Sequence, residues 1–289
     1  MRIAVFGNRY QEAHIKELSA LFNLLSHHNV WVEMEESFYS YLCSVLDNKP
    51  EINDLITGDD FNAAIALSIG GDGTFLRTAQ RVGKKEIPIL GINTGHLGYL
   101  TDMTLDEVNL KLRHLLDGNY KVESRTMIEV TSPDTTLNLW QYALNEVAIL
   151  KEDTSSMIEM EATIDDSHLA TYLADGLIVS TPTGSTGYNL SVGGPIVAPS
   201  APVWAISPVA AHSLTMRPLI VSDSSVISVM TSSRSATYRL SLDGRSQTLP
   251  VGTTLEMRRA PFVTRVIQRV DHRFTDTLRS KLLWGIDKR

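Results

Sequence analysis

A chain of 289 residues with 43% hydrophobic and 20% charged residues has the composition of a globular protein that buries a core, and it suffices for one large domain or two ordinary ones. Its 26 basic and 33 acidic residues leave a net charge of −7, which argues against nucleic acid as a partner; any polyanionic ligand must be held by local amides and a few placed cations. No segment approaches the ~20 apolar residues of a membrane span, the opening MRIAVFGNRY is too short for a signal peptide's apolar region, and the single cysteine, Cys43, reads as a core thiol within SYLCSVL. The expectation is a cytoplasmic protein.

The first ~120 residues alternate short apolar runs with helix-length segments, the βαβ rhythm of a mostly parallel sheet. Strands are expected at Arg2 to Phe6, Val30 to Met34, Ala64 to Ile69 and Pro88 to Ile92. Between them, Leu18, Leu21, Phe22 and Leu25 recur at helical spacing in a segment from about Glu12 to His28. Leu105 to Leu116 is a further amphipathic helix, ended by Gly118. From about Ser124 the rhythm changes to successive β-rich segments, MIEV, YALNEVAIL, MIEMEATI, LIVS, VWAIS, VISVM, YRLSL and VTRVIQRV, with a turn at Asp243-Gly244. Phe274 to Leu283 returns to helical spacing. The expected fold is therefore α/β plus all-β: a Rossmann-like α/β domain over 1–123, a β-sandwich-like domain over 124–270, and a C-terminal helix in 271–289 packing back on the first domain. Two such domains imply a ligand cleft between them.

Residues 68–80 read SIGGDGTFLRTAQ. A buried strand runs into Gly70-Gly71-Asp72-Gly73-Thr74 and then into a helix, so glycines and free helix amides form a phosphate cradle. It lacks the Gly-Lys-Ser/Thr of a P-loop and the spaced glycines of a dinucleotide turn. Asp72 is the informative residue, because a carboxylate repels phosphate. It serves either to cap the helix or to accept a proton from an attacking hydroxyl, and the residues alone leave both open.

The motif GGDGT resembles that of a superfamily containing NAD kinases, diacylglycerol kinases, sphingosine kinases and, more distantly, 6-phosphofructokinases. Three further segments are similar to those of NAD kinases. Residues 91–102, GINTGHLGYLTD, follow a strand; Asn93 and Gly95 shape its turn, and His96 or Tyr99 is available to line the cleft. In LNEVAIL (144–150) the polar pair Asn145-Glu146 breaks an apolar strand, as a pair that binds ribose or a base edge would. Residues 174–195, ADGLIVSTPTGSTGYNLSVGGP, crowd hydroxyls and glycines into a short arc. A downstream segment, AAHSLTMRP (210–218), extends the resemblance over nearly the whole chain.

The resemblance implies phosphorylation of NAD to NADP, with the γ-phosphoryl group of ATP, or of another donor, passing to the adenosine ribose 2′-hydroxyl. Asp72 would be the catalytic base, Gly71, Gly73 and Thr74 would contact phosphates, and Arg77 would neutralise their charge. Asn145, Glu146, Asp175, Thr183, Thr186, Gly187, Tyr188, Asn189, Leu190, Ser191, Ala210 and Gln247 would hold the dinucleotide, with Tyr188 against adenine or ribose. Mg²⁺ on the donor phosphates is implied, as is a homo-oligomer, often a tetramer. Two departures stand out. Leu173 occupies a place where relatives often carry a cation, and Arg245 follows Asp243-Gly244 where many have glutamine, leaving Arg245 or Gln247 for that role. A lipid or sugar kinase, a non-catalytic dinucleotide sensor and an NADP phosphatase are the rival readings.

Overall fold

A computed structural model describes residues 1–9, 11–95, 98–101, 103–152 and 157–285, and the chain divides into two compact units, residues 1–124 with 264–289, and residues 125–263.

In the first unit the elements follow as β1 (Arg2–Gly7), α1 (Ile15–His27), β2 (Trp31–Glu35), α2 (Glu36–Val45), β3 (Asp54–Ile56), β4 (Ile65–Ile69), α3 (Asp72–Val82), β5 (Ile89–Asn93), β6 (Met103–Thr104), α4 (Leu105–Leu116) and β7 (Lys121–Arg125). Burial of every residue in β4 and β5 is what a parallel strand covered on both faces requires. The apolar stripe of α1, Leu18, Leu21, Phe22 and Leu25, is buried as its spacing demands. Helix α4 begins at a capping box, in which the Glu107 amide donates to the Thr104 hydroxyl and the Thr104 amide to the Glu107 carboxylate, and Gly118 beyond its end takes φ +75°. Helix α2, which has no counterpart among the expected elements, carries Cys43, a part-buried thiol rather than a core one.

The second unit contains β8 (Ile128–Thr131), β9 (Tyr142–Ala143), β10 (Glu146–Lys151), β11 (Ile158–Ile164), β12 (Ser167–Ala174), β13 (Gly176–Ser180), the single turn α5 (Tyr188–Ser191), β14 (Val203–Val209), β15 (Leu219–Ser222), β16 (Ile227–Ser232), β17 (Thr237–Leu242), β18 (Arg245–Pro250) and β19 (Thr254–Arg259). Two six-stranded sheets run β15-β14-β13-β10-β17-β18 and β12-β11-β16-β19-β8-β9. Their inward residues, among them Trp204, Tyr238, Ile149, Met160 and Leu255, form one core, the arrangement of a β-sandwich.

The remaining strand, β20 (Thr264–Gln268), belongs to the first unit: it pairs in parallel with β5 through Val266 and Ile89. The expected β-domain limits of 124–270 are thereby corrected at their end. Four of the five β20 residues are buried, including consecutive Val266, Ile267 and Gln268, so both faces are covered, as in a parallel sheet and unlike a sandwich strand. The α6 helix (Phe274–Leu282) follows within the same unit. The completed sheet runs β3-β2-β1-β4-β5-β20-β7, with β6 on β5. Strand order reverses between β1 and β4, the switch point outside whose carboxyl ends open α/β sheets bind ligands.

Candidate active site

The glycine turn leaves β4 at that switch point. Gly71 caps α3 with extended backbone (φ −94°, ψ −171°), and the Thr74 and Phe75 amides both donate to its carbonyl. The first amides of α3 have no carbonyl a turn earlier to serve them. A Cβ placed on Gly71 or on Gly73 meets nothing within 4 Å, so no protein atom accounts for glycine there, while the approach of an anion to bare backbone does. Thr74 is buried, and its hydroxyl accepts from exposed Arg77 at 3.3 Å, which sets a cation beside the turn.

Asp72 makes no capping bond at the head of the helix. Its side chain turns instead to the segment after β5, where Oδ2 accepts from the Tyr99 amide (2.7 Å) and Oδ1 from the Leu100 amide (3.0 Å). A Cβ on Gly98 would overlap the same carboxylate. One lone pair on each oxygen stays free in this clamp. The carboxylate is thus fixed in direction and half-buried, the condition of a base that must be aimed. In the same segment Asn93 accepts from the Gly95 amide and shapes the turn; His96 lies outside the described residues.

In the β unit, the pair Asn145-Glu146 breaks the apolar pattern because the chain changes sheets there: β9 pairs with β8, and β10 with β13 and β17. The crossing is pinned by Asp243, at φ +49° in the β17–β18 turn, whose carboxylate accepts from the amides of Leu144 (2.7 Å), Asn145 (2.8 Å) and Glu146 (3.1 Å). Sequence reasoning took Asp243 only as a turn former; its place before glycine was the one available signal. The 181–191 loop closes over the pair. Thr181 donates its amide to the Asn145 carbonyl, and a Cβ on Gly184 would overlap that carbonyl, so only glycine lets the loop approach. Gly184→Ala is expected to destabilise the protein by about 1–3 kcal/mol, since the obstacle is backbone, with a lowered melting midpoint as the measure.

What remains unspent at this place is specific. Asn145 Oδ1 and Glu146 Oε2 are buried without a hydrogen-bond partner, a cost of about 1–3 kcal/mol each that donors on a ligand would recover. Burial first, and then the charge of Asp243, pushes the Glu146 carboxyl up to about 7, against the Tyr188 amide that donates to it. Tyr188, whose amide bonds Glu146, is 39% exposed.

Several expected ligand residues have other duties. Asn189 is fully buried: its amide nitrogen donates to the Ser185 and Pro195 carbonyls and its oxygen accepts from Ser207, so its side chain braces the loop from within. Ser185, outside the expected set, donates to the Pro182 carbonyl. Thr183 is buried and accepts from Arg125 at 3.4 Å; Thr186 and Gly187 are part-buried, Leu190 half-buried and Ser191 exposed.

Asp175 and Ala210 do not join this cluster. Pairing of Glu146 with Ser180 and of Leu150 with Gly176 puts Asp175 at the opposite end of the β10–β13 pair, ~14 Å or more away along the strands. There the Asp175 amide donates to Val209, beside Ala210 at φ +47°, and its carboxylate pairs with Lys151 Nζ at 2.6 Å. Lys151 brings a cation to the neighbourhood where Leu173 had left none. Gln247 Oε1 accepts from the Asn138 amide, and the Arg245 guanidinium is committed to the Trp140 and Tyr142 carbonyls over the Trp140 ring. Among the described residues, no group of three or more His, Cys, Asp or Glu side chains is placed to hold a metal ion, and no helix is long and apolar enough to cross a membrane.

Comparison with known proteins gives both units the same affiliation. Residues 3–120 match the family model of the ATP-NAD kinase N-terminal domain, and residues 144–268 that of the ATP-NAD kinase C-terminal domain. The chain is 45% identical over 289 residues to an NAD kinase of Bacteroides fragilis, covering all of both chains. It is 44% identical over 284 residues to one of Porphyromonas gingivalis, covering 98% of each. Among solved structures, yeast NADH kinase complexed with NADH shares the fold at TM-score 0.88 and 23% identity, over 100% of this chain and 89% of that one. An NAD kinase from Archaeoglobus fulgidus in complex with ATP gives 0.76 at 25% identity, over 97% and 99%.

Proposed function

The chain belongs to the ATP-NAD kinase family, and from that premise we propose how its residues phosphorylate NAD to NADP. The adenosine ribose 2′-hydroxyl attacks the γ-phosphorus of ATP in line; the new O2′–P bond forms as the bond to the β–γ bridging oxygen breaks, and ADP leaves. Asp72 takes the hydroxyl proton. The open amides around Gly71 and Gly73, with Arg77 nearby, receive phosphate charge. Asn145 and Glu146 take hydrogen bonds from the dinucleotide, and Tyr188 packs against its adenosine half. The observation that carries this reading is the Asp72 carboxylate, held by two backbone amides beside glycines whose side-chain space is open.

The donor set at the turn, one carboxylate and bare amides, fits a Mg²⁺ carried by the triphosphate rather than caged by protein ligands; on the donor it would offset charge that a net −7 chain does not. The protein acts in the cytoplasm as a homo-oligomer, so light scattering should return a multiple of the chain mass, and a monomer mass would contradict that part. Incubating purified protein with NAD, Mg²⁺ and ATP is expected to yield NADP. No NADP with ATP, other nucleoside triphosphates or polyphosphate would refute the assignment.

A further inference from the structure

We infer that Lys281, on the C-terminal helix α6, is a positioning residue for the Asp72 carboxylate. The inference rests on the reading of Asp72 as the base. Lys281 Nζ donates to the carbonyl of Gly98 and, at 3.0 Å, to that of Thr101, and it stands 5.7 Å from the centroid of the Tyr99 ring between them. The Gly98 carbonyl and the Tyr99 amide are two ends of one peptide group. The ammonium therefore bonds the oxygen end of the peptide whose N–H end holds Asp72.

A cation on a carbonyl polarises its peptide and strengthens the bond donated at the other end. The Tyr99 amide, on the polarised peptide, reaches Asp72 at 2.7 Å, and the Leu100 amide, on the next peptide, at 3.0 Å. The second contact, to Thr101, fastens the far side of the same short segment. Asp72 and this segment are distant in sequence, and Lys281 is more distant still, 183 residues from Gly98. The clamp is thus assembled only when the chain has returned to the first unit through β20. An ammonium at the end of a four-carbon stem reaches both carbonyls at once.

The test measures kcat, KM for NAD and ATP, and the melting midpoint of Lys281→Met and Lys281→Arg, each with Asp72 intact and with Asp72→Asn. Loosening the clamp is expected to lower kcat roughly 10-fold or more, with both KM values within about twofold, because a misaimed base costs turnover rather than binding. Lys281→Arg, which keeps charge and donors, should restore most of the loss. In the Asp72→Asn background, Lys281→Met should cost nothing further, since the group it aims is gone. Should Lys281→Met lower the melting midpoint, Lys281→Gln carries the test: it keeps a donor and removes the charge, and the same kcat loss is expected.

Unchanged kcat in Lys281→Met or Lys281→Gln, beside an inactive Asp72→Asn, overturns the inference and leaves Asp72 as base. A loss of the same factor in both backgrounds also overturns it, showing Lys281 to act independently of Asp72. Full turnover in Asp72→Asn alone would instead remove the base reading itself.

Discussion

Gly98→Ala is expected to cut turnover by a factor on the order of 10² or more, as Asp72→Asn should, while the protein still folds and binds NAD. Position 98 is not among the residues with positive φ, so the backbone there accepts an L side chain. What it lacks is room: the new methyl falls on the Asp72 carboxylate. Two outcomes are open to the chain. Asp72 swings aside and breaks its bonds from the Tyr99 and Leu100 amides, or the 98–101 segment backs away and takes those amides with it. Either way the carboxylate loses its direction, and a displacement of about 1 Å at a reacting group can cost 10²-fold. The Asp72→Asn protein keeps the shape and loses the proton acceptor. Steady-state kinetics on both variants, with melting midpoints alongside, checks the pair; near-normal turnover in a folded Asp72→Asn protein would end the case for the base.

Glu146→Gln is expected to stabilise the protein at pH 8 by about 3 kcal/mol, with the gain fading toward pH 4.5. The Glu146 carboxyl is pushed up to about 7 from an ordinary 4.5, chiefly by burial. Below pH 4.5 the group is protonated in folded and unfolded chains alike, and it costs nothing. Between 4.5 and 7 the unfolded chain gives up its proton while the folded chain keeps it, so folding loses ground as pH rises. Above 7 the folded protein holds a buried carboxylate, and the full cost stands. Glutamine is neutral throughout, and its oxygen can still accept from the Tyr188 amide. Denaturant unfolding of both proteins at pH 5 and pH 8 checks this, and a difference that does not grow with pH would refute it. With its carboxyl pushed up to about 7, Glu146 accepts hydrogen bonds when ionised and can donate one when protonated.

Much of this was legible from residue order alone. Strands β1, β2, β4 and β5 and helices α1 and α4 announce themselves because a parallel α/β unit builds its core from contiguous apolar runs and 3.6-residue stripes. Asp72 stood out as a charge of the wrong sign for its loop, and Asn145-Glu146 as polar residues inside an apolar strand. Asp72 is clamped by the segment after β5, and the polar pair falls where the chain crosses from one sheet to the other.

Other things were decided in three dimensions. Strand β20 pairs Val266 with Ile89, 177 positions earlier in number, and no local pattern reports the address of its partner. The serines, threonines and asparagine of the 181–191 loop read as ligand donors, yet Ser185 and Asn189 are spent on the loop's own carbonyls, because a tight polar turn must satisfy its backbone first. Asp175 fell in the same motif as Tyr188 but lies at the other end of the strand pair, since an extended strand carries neighbours in sequence far apart in space. The sequence by itself determined the family, the two-part architecture and the aspartate at the phosphate turn, for these depend on local pattern. Only the tertiary structure decided what holds that aspartate, two amides backed by Lys281, and what holds the Asn145-Glu146 pair, the Asp243 carboxylate, because hydrogen bonds between residues 27 to 183 positions apart leave no trace in residue order.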